Sequence, residues 1–152
     1  MKSRALVWLD RHGVPYQVLE YDEVEKTAQE VAVKCKVPLD RVFKTLLIHG
    51  DNGFALVLIP GTQQLSEKKC ALAMSCRDVE MADPEDIHRI TGYLRGSVSP
   101  IDPRRPVPIF CHQSIMDHDY AGVSAGQRGF ELWMKSTDLV RATNATILDC
   151  AR

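Results

Sequence analysis

Apolar positions along this chain change their spacing from segment to segment, and those changes predict its elements. Between residues 3 and 12, Leu6, Val7 and Leu9 recur at helical spacing and Gly13 follows as a stop, which predicts a short amphipathic helix. Pro15 then opens an extended segment, Tyr16 to Tyr21. Thr27 precedes Ala28-Gln-Glu-Val-Ala-Val-Lys-Cys35 with Glu30 three residues on, a capping-box spacing, so a second helix begins there and Pro38 lies beyond its end. Arg41 to Ile48 and Phe54 to Ile59 read as strands flanking Gly50-Asp-Asn-Gly53, whose residues tolerate positive φ and suit a hairpin.

Ser66 with Glu67 opens a third helix through about Met74, and Asp78 to Met81 is a short strand. Asp83-Pro84-Glu85 then supplies the side-chain acceptor and first-turn proline of a fourth helix. Val107 to Cys111, Tyr120 to Val123 and Phe130 to Met134 return as strands, Ser136 caps a helix through about Ala142, and Thr146 to Leu148 is extended. The pattern is α+β. Strands and helices interleave too irregularly for a Rossmann sheet, and neither Gly-x-Gly-x-x-Gly nor a Walker loop is present. A chain of 152 residues with 45% hydrophobic content makes one well-packed domain, spanning residues 1–152.

Composition narrows the function classes. A net charge of −1 gives no bulk pull toward nucleic acid, so DNA binding is not expected and any RNA contact must be local. The apolar run near the N-terminus is broken by Asp10 and Arg11, and no stretch approaches the roughly 20 apolar residues of a membrane span, so a cytoplasmic protein is expected. Cys35, Cys70, Cys76, Cys111 and Cys150 form no Cys-x-x-Cys pair and are expected as reduced thiols. Cys111, His112 and His118 lack a second ligand pair at finger-like spacing, so neither metal nor cofactor is expected.

Lys44 is the residue that asks for a chemical explanation. Val42, Leu46, Leu47 and Ile48 make its surroundings a buried strand, and a lysine ammonium is rarely buried without a partner. Either the charge points into a cleft, or the stem lies along the sheet and the head reaches water. Two loops could serve such a cleft. Gly92 to Pro100 holds two glycines and two serines, so its backbone amides can approach a ligand closely. Val123-Ser-Ala-Gly-Gln-Arg-Gly129 joins two strands with small residues and one fixed positive charge, which could grip a phosphate. Either loop could equally be a plain turn. Ser124 lacks a Gly-x-Ser-x-Gly elbow and a base-oriented triad, and no carboxylate pair emerges at a persuasive spacing.

Phe43-Lys-Thr-Leu-Leu47, Val79-Glu-Met-Ala-Asp-Pro84, Thr91-Gly-Tyr-Leu-Arg-Gly-Ser-Val-Ser-Pro100 and Val123 to Gly129, in that order, resemble the YbaK/EbsC family. Its members are free-standing relatives of the editing domain inserted in prolyl-tRNA synthetases, and the resemblance runs from about Gly13 to Leu139. It implies a mixed, six-stranded sheet curled toward a barrel and covered by helices. It also implies an aminoacyl-tRNA deacylase acting on mischarged tRNA, foremost Cys-tRNA(Pro), with prolyl-tRNA synthetase as a further partner. By that resemblance Lys44, Gly96 and Ser97 sit at the reacting ester, and Tyr21, Thr45, Val98, Ser124, Gly126 and Arg128 surround the substrate. Relatives show glycine where this chain has Ser97, Gly-Gly-Lys-Arg-Gly where it has Ala125 to Gly129, and an acidic residue where it has Trp133. A sister editing activity on another small aminoacyl ester, or a non-catalytic tRNA- or synthetase-binding module, are the alternatives.

Overall fold

The computed structural model describes residues 2–22 and 27–152. Helix α1 (Arg4–Arg11) starts where Ser3 Oγ accepts the Leu6 N–H. Strand β1 (Gln17–Glu20) leads to α2 (Ala28–Cys35), where Thr27 Oγ1 accepts the Glu30 N–H at 3.1 Å and its hydroxyl donates to Glu30 Oε1 at 3.0 Å. The hairpin follows as β2 (Phe43–Gly50) and β3 (Gly53–Pro60) in antiparallel register, with Gly50 opposite Gly53 and Asp51-Asn52 as its loop. Strand β2 begins two residues later than expected, because Leu39–Arg41 winds a single 3₁₀ turn after Pro38.

After α3 (Glu67–Met74), capped by Ser66, come β4 (Val79–Met81), α4 (Pro84–Thr91) and β5 (Ile109–His112). Strands β6 (Tyr120–Ser124) and β7 (Phe130–Lys135), helix α5 (Ser136–Thr143) and β8 (Thr146–Leu148) complete the chain. Two expected caps differ. The Asp83 side chain makes no capping bond, so α4 relies on Pro84 at its start. Ser136 is the first residue of α5 rather than its cap, and its Oγ is buried without a partner.

The α+β class with mixed sheets holds, distributed over more strands than expected. Among the described residues eight strands form one sheet in the order β4-β2-β3-β5-β8 and another in the order β1-β7-β6. Strand β3 is central, antiparallel to β2 and parallel to β5, and Ala55 to Ile59 are fully buried. Burial on both faces explains its continuous apolar run. One packed cluster joins α1 and α5 to the smaller sheet through Leu9, Leu132, Met134 and Leu139. Another seats α3 on the larger sheet through Cys70, Ala71 and Met74. All five cysteines are free thiols, and no helix among the described residues is long and apolar enough to cross a membrane.

A parallel bridge between Val42 and Gly122 ties the sheets together and curls them without closing a barrel. Val42 O accepts the Gly61 N–H at 2.7 Å, which puts β3 on one edge of β2 and this bridge on the other. Strand β4 shares that second edge, but pairs only with Ile48 to Gly50. Between bridge and β4, the edge of β2 from Phe43 to Leu47 has no strand beside it among the described residues.

Candidate active site

A cleft of about 710 Å³ opens on that unpaired edge, a volume within the range of small-molecule sites. Ala82 N–H donates to Leu47 O at 3.0 Å, so the edge-facing peptide groups of β2 are those of Leu47 and, by the two-residue repeat, Thr45 and Phe43. Side chains from both faces of β2 reach the cleft because it wraps around an edge. Thr45 lines it from one face and Lys44 from the other, although the strand repeat sets them on opposite sides.

Lys44 Nζ donates to Gln63 O at 3.2 Å and is partly buried. It also borders a second cleft of about 550 Å³ beside Ser66 and Arg152, so the ammonium stands at the divide between two openings. The sequence left two placements open for this lysine, and its position is at a cleft wall.

The two loops meet at the far wall. Gly96, at φ +89°, is crowded by Arg128: a Cβ there would lie 3.1 Å from a guanidinium nitrogen, at the end of that flexible side chain. Gly126, at φ +86°, is covered by Tyr93, and a Cβ would come within 2.5 Å of that ring. Both are positive-φ positions that favour glycine by backbone, and at Gly126 space excludes a side chain as well. Ser124 Oγ accepts the Gly126 N–H at 3.1 Å, fixing the turn.

Of the nine residues expected at the site, Tyr21, Lys44, Thr45, Gly96, Val98 and Ser124 line the cleft together. Arg128 lies behind Gly96 and Gly126 beneath Tyr93, both in supporting positions rather than on the wall. Ser97 is 5% exposed and its hydroxyl donates to Leu94 O at 3.1 Å, within its own turn and off the lining. Among the described residues no group of three or more His, Cys, Asp or Glu is arranged to hold a metal ion.

Sequence reasoning missed Glu131. It lines the cleft opposite Ser124 in the β6–β7 pairing, is 4% exposed, and its Oε2 has no hydrogen-bond partner. Only three buried side-chain polar atoms lack partners among the described residues, and Thr45 Oγ1 and Glu131 Oε2 both belong to this cleft. Burial pushes the Glu131 carboxyl up to about 8. Tyr21 is raised chiefly by its own burial and then by the neighbouring Glu131 charge, and Cys35 is raised in the same order of causes. The available signal in the sequence is an acidic residue inside the otherwise apolar run Phe130-Glu-Leu-Trp-Met134.

A stability consequence follows with a definite sign. The unfolded chain ionises this carboxyl near its ordinary value of 4.5, whereas the folded protein keeps the proton to about 8, so stability falls as pH rises between those values. Glu131→Gln removes that loss. The melting temperature of the variant should therefore gain on the wild type as pH rises from 5 to 8, by about 10 °C at most for a few kcal/mol. A constant difference over that range would mean that the carboxyl is ionised and matched in solution.

Residues 22–142 match the family model for the aminoacyl-tRNA editing domain. EbsC of Enterococcus faecalis, a protein carrying the name of a Cys-tRNA(Pro)/Cys-tRNA(Cys) deacylase, is 33% identical over 146 residues, covering 94% of this chain and 89% of EbsC. The proline–tRNA ligase of Lactobacillus helveticus is 30% identical over 105 residues, 69% of this chain and 19% of the ligase. Among solved structures, one described as a trans-editing enzyme for prolyl-tRNA synthetase superposes with a TM-score of 0.90 at 21% identity, covering 100% of this chain and 99% of that one. The protein APE2540 superposes with a TM-score of 0.88 at 22% identity over 97% of this chain and 98% of that one, so both share this fold. With four-fifths of its length inside the family model and a relative matched almost end to end, the chain belongs to the aminoacyl-tRNA editing domain family.

Proposed function

We propose that this protein is a trans-editing deacylase that hydrolyses the ester linking cysteine to tRNA(Pro). The observation that carries this reading is the cleft on the free edge of β2, where Lys44, Gly96 and Val98 converge in a chain of the editing family. The name of the EbsC relative, matched along most of both chains, supports cysteine as the amino acid. Likeness to part of a proline–tRNA ligase supports tRNA(Pro) as carrier and the synthetase as partner, in the cytoplasm where aminoacyl-tRNA is made.

The need for such a protein is physical. A prolyl activation site cannot strongly exclude an amino acid of similar size, because small differences in apolar contact discriminate weakly, and a second hydrolytic pocket adds the missing factor. An aminoacyl ester is already activated. Positioning and oxyanion stabilisation therefore supply much of the rate without a protein nucleophile. In this mechanism the thiol of the bound cysteine attacks its own ester carbonyl. A carbon–sulfur bond forms, the bond to the ribose oxygen breaks, the thiol proton ends on that oxygen, and water opens the cyclic thioester released. Lys44 favours the developing negative charge, and the loop at Gly96 bounds the carbonyl. Ser97 contributes by bracing that loop through Leu94 O. Arg95 on the lining and Arg128 behind Gly96 supply local positive charge for the phosphates of the tRNA 3′ end, which the net charge of −1 does not.

Deacylation of tRNA(Pro) charged separately with cysteine, alanine and proline tests the assignment. Release of cysteine at least about 100-fold faster than of the other two is expected. Equal release of alanine would instead make this a general small-amino-acid editor.

A further inference from the structure

Glu131 has no part in the mechanism above, and among the described residues no side chain or backbone group bonds its Oε2. Its Oε2 is buried against Gly122 on β6, where a Cβ would stand 2.9 Å away, and no donor reaches it. The register sets Leu19 and Ser124 beside it on the adjoining strands. Tyr21 and Cys35 are the titratable groups that feel its charge, and both are neutral. Lys44 and Arg95 share the cleft, but Lys44 is bonded to Gln63 O and neither is paired with the carboxyl. Burying a carboxyl without a donor costs the folded protein stability, and Thr45 Oγ1 is left unmatched in the same cavity. Two orphaned polar oxygens in one cleft call for a donor from outside.

Every aminoacyl ester brings such a donor next to the reacting carbonyl: an α-ammonium group with a positive charge and three N–H bonds, or two in the prolyl ester. We propose that Glu131 is the receptor for the α-ammonium group of the aminoacyl ester, an assignment that rests on the deacylase reading above. Pairing converts a carboxylic acid and an ammonium into a carboxylate–ammonium pair, and the displaced proton goes to solvent. The raised carboxyl of the empty protein is then the resting form of the receptor, since its ion is worth forming only when a cation arrives. The same contact makes a filter. An ester acylated on its α-nitrogen is neutral and leaves the carboxyl unmatched, so peptidyl and N-formyl esters are refused while free aminoacyl esters are accepted.

Calorimetry on the intact protein at pH 6.5, in buffers of different ionisation enthalpy, tests the proposal with non-hydrolysable 3′-cysteinylamido-adenosine and its N-acetyl derivative. At this pH the free amine is charged and Glu131 holds its proton. The wild type should bind the free amine with release of close to one proton, and the N-acetyl form about 100-fold more weakly with none. Glu131→Gln should bring the two ligands within about threefold of each other and abolish the proton release. Binding of the free amine without proton release, or a Gln variant that keeps the wild-type preference, would overturn the assignment. Failure of the wild type to bind either ligand would sink the deacylase reading itself, and this inference with it.

Discussion

Replacing Lys44 by alanine is expected to lower kcat/KM for Cys-tRNA(Pro) deacylation by about 100-fold, comparable to loss of one oxyanion donor elsewhere. The geometry explains why so much rests on one side chain. Its ammonium is held by Gln63 O at 3.2 Å at the junction of two clefts, so the charge is fixed in place before substrate arrives. The fold depends on it little, because among the described residues its side chain makes one hydrogen bond, to the Gln63 carbonyl. A melting temperature within about 2 °C of wild type is therefore expected. Lys44→Arg should recover only part of the activity, since a planar fork does not place its charge where a compact ammonium does. Deacylation by the alanine variant within threefold of wild type at subsaturating substrate would show that this lysine lies along the sheet for packing alone.

The second large effect is set by the substrate. Ser-tRNA(Pro) should be hydrolysed at least about 100-fold more slowly than Cys-tRNA(Pro) in single turnover while still competing for binding, because oxygen for sulfur removes a good nucleophile and little volume. No group in the cleft is arranged to replace the missing thiol: Ser124 is occupied with the Gly126 N–H, and Glu131 is protonated in the empty cleft and taken up by the α-ammonium group once an ester is bound. Comparable rates for the two esters would transfer the chemistry to water, with Glu131 as the first group to suspect. Chelators should leave both rates unchanged.

Most elements were legible because local chemistry decides them. Thr27 and Ser66 each accept the N–H three residues on, and the Gly50–Gly53 turn admits few alternatives to a hairpin. What the sequence could not carry depends on partners far along the chain. Period-two reading of β7 alternates Glu131 with Leu132, one face polar and one apolar, yet both are buried. Tyr21 and Cys35, roughly a hundred positions upstream, come close enough to feel the charge of Glu131 on the second face, and no local pattern announces their approach. Ser97 fails in the opposite direction. Its hydroxyl could face a ligand or its own turn, and a carbonyl three residues back, at Leu94, is the nearer acceptor. The joining of the two sheets was likewise hidden, since it turns on one bridge between Val42 and Gly122.

The pairing of β1 with β7 has a consequence for the order in which the molecule is made. Glu20 sits opposite Phe130, so about 110 residues must be synthesised before β1 meets its partner, on the order of 5–20 s at ordinary elongation rates. The β2–β3 hairpin needs no such wait, because its partners are adjacent in sequence. Tyr21 and Glu131, neighbours on one wall of the finished cleft, are among the last parts of it to come together. A ribosome halted before residue 130 thus displays a chain with its lysine-bearing hairpin formed and its substrate chamber still unbuilt.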